Sequence, residues 1–83
     1  MYSLVLSRRF DSDFSKLDKG VRDRVVEKLR EISGDPRVGK PLRGKLRGLY
    51  SARAGDYRIV YQIFDEKRVV AAVMVGHRKV AYR

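Results

Sequence analysis

The chain has no cysteine, no tryptophan, one histidine and two prolines in 83 residues. Without cysteine there is neither a disulfide scaffold nor a thiolate zinc site, and one histidine leaves any metal with carboxylate partners only. No metal and no cofactor is expected. Long apolar runs are missing too. Nothing approaches the roughly 18 residues that a membrane span needs, and Met1-Tyr2-Ser3-Leu4-Val5-Leu6 is a short apolar run with no basic leader or cleavage site. The expectation is a soluble, cytoplasmic chain with no membrane partner. Repeats, low-complexity tracts and linkers are also absent, so residues 1–83 read as one small domain. A domain of this size buries roughly 60–65% of the surface its unfolded chain exposes, which excludes a large enzyme with an enclosed pocket.

Negative charge is the other scarcity: 10 Asp and Glu stand against 20 Lys and Arg, a formal net charge of +10. The imbalance implies an anionic partner. It is uneven along the chain. Residues 1–33 carry 8 basic and 6 acidic side chains, residues 34–58 carry 7 and 2, and residues 59–83 carry 5 and 2. Arg outnumbers Lys 13 to 7, and its planar fork suits bidentate phosphate contact and stacking on bases. A basic helix lying on a membrane fits poorly, because the most helical region is nearly charge-balanced.

Apolar spacing organises the chain as β-α-α-β-β-β, an α+β fold. Residues 2–6 read as a strand. Ser7 is placed to cap a helix over residues 8–16, with Phe10, Phe14 and Leu17 on one stripe. Asp18 is placed to cap a second, in which Val21, Val25, Leu29 and Ile32 recur, and Gly34 closes it. Charges on the opposite faces read as solvated. Asp35-Pro36 and Lys40-Pro41 mark a loop of about eight residues. Three strands follow, over residues 45–53, 57–64 and 69–75, joined by turns at Ala54-Gly55-Asp56 and Asp65-Glu66-Lys67-Arg68. Successive hairpins imply an antiparallel sheet with the two helices packed on one face.

Alternation then groups the side chains. Arg47, Leu49, Ser51 and Arg53 share one face of the first hairpin strand, and Arg58, Val60, Gln62 and Phe64 share one face of the second. Tyr57, Ile59, Tyr61 and Ile63 form the more apolar face, so the helices are expected there. That leaves an open basic face carrying Arg47, Arg53, Arg58 and Gln62. A single bulge would flip part of this assignment. Tyr50, Tyr57 and Tyr61 read as packing aromatics, and Asp56 and Asp65 are the acids that could pair with Arg58.

Four segments in order resemble the RelE/ParE superfamily of toxins from type II toxin-antitoxin pairs: Leu42-Arg43-Gly44, Leu49-Tyr50-Ser51-Ala52-Arg53, Gly55-Asp56-Tyr57-Arg58-Ile59-Val60-Tyr61, and Val75-Gly76-His77-Arg78-Lys79-Val80-Ala81-Tyr82. The resemblance covers essentially the whole chain and is nearest to the RelE branch. It implies a ribosome-dependent mRNA endoribonuclease (mRNA interferase) that cuts mRNA in the A site without metal. It also implies an acidic, RelB-like antitoxin as partner, with promoter DNA bound only through the toxin-antitoxin complex. Arg58 matches the arginine that contacts the scissile phosphate in the family, Arg78 the arginine after the last strand, and Tyr82 the tyrosine that orients the substrate base. Arg53 takes a basic strand position, whereas Ser51 stands where a further basic residue is often found.

Attack by a ribose 2′-OH on the adjacent phosphate needs a proton acceptor, a donor to the leaving 5′ oxygen, and positive charge on the phosphorane oxygens. Arginines supply the charge but are poor bases, which leaves His77 as the candidate proton shuttle unless the ribosome positions the 2′-OH. The candidate catalytic set is Arg53, Arg58, Arg78, Tyr82 and His77. Arg43, Lys45, Arg47 and Lys79 are the candidate RNA and rRNA contacts, adding salt-dependent affinity with little sequence choice. Two rival readings use the same fold: a ParE-like gyrase-inhibiting toxin, and an inactive relative that only binds antitoxin and promoter DNA.

Overall fold

A computed structural model describes residues 1–79. Strand β1 (Ser3–Leu6) runs into Ser7, whose side chain serves both neighbours. Its Oγ accepts the Phe10 N–H at 3.0 Å, which caps helix α1 (Arg8–Ser15), and donates to the Val73 carbonyl at 2.7 Å, which ties the helix start to the sheet. Asp18 caps helix α2 (Lys19–Gly34) by accepting the Val21 N–H. Both caps fall where the sequence places them. No helix among the described residues is long and apolar enough to cross a membrane.

The segment after α2 is more structured than the expected loop. Pro36–Val38 forms a 3-10 turn and Lys40–Pro41 a short strand, β2. Gly44–Leu46 forms a second 3-10 turn, and β3 (Leu49–Ala54) starts four residues later than expected. The cause is local: Gly44 and Gly48 hold φ of +66° and +96°, left-handed values that interrupt a strand. Strand β4 (Tyr57–Phe64) has the expected bounds, and β5 (Val69–His77) runs two residues further. A two-residue turn with Gly55 at φ +66° joins β3 to β4.

The sheet order is β1-β5-β4-β3-β2. The β3-β4-β5 meander is antiparallel as expected, but the sheet is mixed, because β1 pairs in parallel with β5 across more than sixty residues. Helix α1 packs over β5 and α2 over β3. Phe10, Val25, Leu29 and Ile32 meet Ala52, Ile59, Tyr61, Val70 and Val75 in the core. Fully burying each large side chain contributes about 1.5–3 kcal/mol. The Tyr57-Ile59-Tyr61-Ile63 face is the helix-bearing one, as alternation predicts. Between Val60 and Tyr61 the β4-β5 register slips: Val60 pairs with Met74 but Tyr61 with Ala72, so Val73 is a bulge residue. The bulge keeps Val70, Ala72 and Val75 on the core side despite the odd spacing.

Candidate functional site

The open face of the sheet is built from the opposite parity. Ser51, Arg53, Arg58 and Val60 share it by register, since Arg53 pairs with Arg58 and Ser51 with Val60. Val60 and Met74 are buried there and Ser51 is 5% exposed, so the basic rim stands on a dry floor. Arg47, expected on this face, instead follows the second 3-10 turn outside β3.

A groove of about 390 Å³ opens at this side of the sheet, lined by Lys28, Val38, Gly39, Lys40, Ser51, Ala52, Arg53 and Arg58. Its wall is held by one buried phenol. Tyr61, fully buried and stacked on Tyr50 at 5.8 Å, donates its hydroxyl to the Pro36 carbonyl at 2.6 Å and accepts the Gly39 N–H at 3.1 Å. Burial raises the Tyr61 pKa, so this hydroxyl stays protonated. Gly39 approaches so closely that a Cβ there would collide with the Tyr61 hydroxyl and lie 2.7 Å from the Ser51 carbonyl.

Among the described residues, four cations line the groove and no carboxylate does. Lys28 is bonded to Glu31 at 2.9 Å, whereas no carboxylate among the described residues lies within ion-pair distance of Lys40, Arg53 or Arg58. Asp65, one of the acids considered for Arg58, is taken elsewhere. Arg37 grips it through two bonds of 3.1 and 2.8 Å and the Tyr2 hydroxyl adds a third at 2.7 Å. These donors pull the Asp65 pKa down to about 2. Three cations with no carboxylate partner among the described residues repel one another along one groove, an arrangement relieved by a polyanion.

The structure brings Arg53 and Arg58 together and separates His77 from them. The Val73 bulge shifts the parity of the end of β5, so His77 pairs with Tyr57 on the helix-bearing face, ring edge to ring face at 5.5 Å. The His77 Nδ1 accepts the Lys79 N–H at 3.3 Å. By register, His77 and the Arg53-Arg58 pair therefore stand on opposite faces of the sheet. Arg78 is exposed in the turn just past β5, its N–H donating to the Asp56 carbonyl at 2.9 Å. Arg43, Lys45 and Arg47 are exposed around the second 3-10 turn, and Lys79 is exposed past β5. Tyr82 lies outside the described residues. Sequence reasoning missed Lys28 and Lys40, which reach the groove from α2 and β2; the only signal was the Lys40-Pro41 pair, read as loop.

Comparison with known proteins places this arrangement. Residues 4–82 match the family described as the ParE toxin of the type II toxin-antitoxin system parDE. The chain is 51% identical over 84 residues to toxin RelE of Mycobacterium tuberculosis, covering 99% of this chain and 87% of the relative. It is 36% identical over 83 residues to the mRNA interferase toxin RelE of Escherichia coli K12, covering 94% and 84%. A chain in the crystal structure of the RelBE2 toxin-antitoxin complex of M. tuberculosis superposes with a TM-score of 0.86 at 40% identity, over 93% of this chain and 91% of that one.

Proposed function

We infer that this chain cuts messenger RNA on the ribosome, from the premise that it belongs to the RelE/ParE family of toxins of type II toxin-antitoxin systems. The observation that carries the reading is the groove in which Lys40, Arg53 and Arg58 stand with no carboxylate partner among the described residues. The RNA supplies its own nucleophile. A 2′-OH forms a bond to the adjacent phosphorus, the bond to the 5′ oxygen breaks, and a cyclic phosphate and a 5′-hydroxyl result. Arg53 and Arg58 hold the phosphorane oxygens, Arg78 faces the leaving oxygen, and Tyr82 orients the base. Such preorganised charge costs no reorganisation at the moment of reaction, and here it stands over the buried Ser51, Val60 and Met74. With His77 on the opposite face, the 2′-OH is aligned by the ribosome, its proton passes to water, and water returns a proton to the departing 5′ oxygen, so no strong protein base is needed. Exposed Arg43, Lys45, Arg47 and Lys79 hold rRNA phosphates.

In the cytoplasm an acidic antitoxin silences the protein. Support comes from the RelBE complex among the structural relatives and from the +10 charge. The matched family is described by a ParE toxin, which favours gyrase poisoning as a second reading. Induced expression separates the two. Amino-acid incorporation that stops within minutes, with no DNA-damage response, is expected here. A damage response with translation continuing would overturn the RNA reading in favour of gyrase.

A further inference from the structure

Lys40 is the cross-strand partner of Ser51, and such partners project to the same side of a sheet. Its ammonium therefore rises on the open face, two strand spacings, roughly 10 Å, from the strand that carries Arg58. Strand β2 pairs with β3 only at Tyr50 and Ser51. Among the described residues no strand pairs with the β3 edge from Ala52 onward, and there Lys28 closes the groove from the helix side. Glu31 takes one of the three ammonium donors of Lys28 and does not line the groove.

We propose that Lys40 and Lys28 form a second phosphate subsite, which holds the backbone phosphate next to the one held by Arg53 and Arg58 and leads a single-stranded RNA over this edge of β3. The inference rests on the RNA-cleaving reading above. An acidic peptide is the competing occupant, and the lining disfavours it. Among the described residues, Val38 and Ala52 are the only apolar side chains in this groove, too few to seat the anchors a peptide needs. A different groove of about 450 Å³, lined by Met1, Leu4, Val26, Leu29, Arg30 and Ser33, offers that apolar seat between the β1 end and α2.

The test is the salt dependence of binding between the full chain and a labelled single-stranded RNA hexanucleotide carrying 2′-O-methyl groups, which bind but do not cleave. Each phosphate contact contributes about 0.7 to the slope of log affinity against log salt for single strands. The Lys28→Gln/Lys40→Gln pair is expected to bind with a slope shallower by about 0.7. Lys40→Arg with Lys28 intact is expected to keep the wild-type slope. Arg53→Gln/Arg58→Gln reports on the first site. If that arginine pair weakens binding while the lysine pair leaves affinity and slope unchanged, the subsite is overturned and the RNA reading stands. If neither pair affects RNA binding, both fall. A lysine pair that keeps RNA binding but loses binding to an Asp- and Glu-rich peptide assigns the lysines to a protein partner, and overturns the proposal.

Discussion

Replacing Gly39 by alanine tests how the groove is held open. Gly39 has φ −83°, a value any residue adopts, so the substitution carries no backbone penalty. The cost is steric. The new methyl group collides with the Tyr61 hydroxyl and sits 2.7 Å from the Ser51 carbonyl, and the latter is backbone inside a sheet and cannot swing away. Overpacking of this kind costs about 1–3 kcal/mol. Displacing the loop also strips a buried hydroxyl of its bonds to Gly39 and Pro36, a further ~1–3 kcal/mol. Part of each is relieved by relaxation, so we expect about 2–4 kcal/mol in urea unfolding, a large share of a small domain's stability. Tyr61→Phe removes the hydroxyl and leaves Ser51 in place. Alanine at 39 is then expected to cost about 1–2 kcal/mol less than in the wild type, a coupling a double-mutant cycle resolves. A Gly39→Ala protein within 0.5 kcal/mol of wild type (about the usual range for surface changes), or strictly additive single and double variants, would refute the close approach as the wall of the groove.

Three further outcomes follow from individual contacts. Because Arg37 and Tyr2 hold the folded-state pKa of Asp65 at about 2, below its ordinary value of 3.8, this carboxylate stabilises the fold above about pH 4 and the contribution is lost as pH falls toward 2. Melting temperature should fall more steeply over that window in wild type than in Asp65→Asn; parallel curves would show that the Arg37 grip does not hold in solution. Ser7→Ala removes a helix cap and a tie to Val73 together, and should cost about 1–2 kcal/mol in denaturant unfolding, against a few tenths if the cap is idle. His77→Ala should leave mRNA cleavage near the wild-type rate, while Arg58→Ala lowers it about 10²–10³-fold, as removal of one transition-state donor does; comparable losses in both would return His77 to the site.

Local chemistry was legible in the sequence and long-range geometry was not. Ser7, Asp18, Gly55 and the 65–68 turn each act on neighbours within a few residues, so helix starts and hairpin corners could be placed from residue type alone. The helix-bearing face followed from the apolar phase of Tyr57, Ile59, Tyr61 and Ile63. The late start of β3 escaped because Gly48 reads as an ordinary residue of the 45–53 strand until its left-handed φ, and that of Gly44 just before it, is known. The Val73 bulge escaped for a deeper reason: it is tied to Ser7, 66 residues away, and one inserted residue moved His77 to the opposite face. Lys28 and Lys40 likewise meet Arg53 and Arg58 only once α2 and β2 are docked at the β3 edge.

The central claim, cleavage of mRNA by a groove of arginines on the ribosome, is tested most directly by primer extension on a defined mRNA. The purified protein is added with and without programmed ribosomes, and Arg53→Ala/Arg58→Ala is run beside it. The account predicts cuts within the A-site codon when ribosomes are present, none in their absence, and none from the double variant. Intact mRNA under both conditions from folded wild-type protein would contradict it, as would cleavage that survives loss of both arginines.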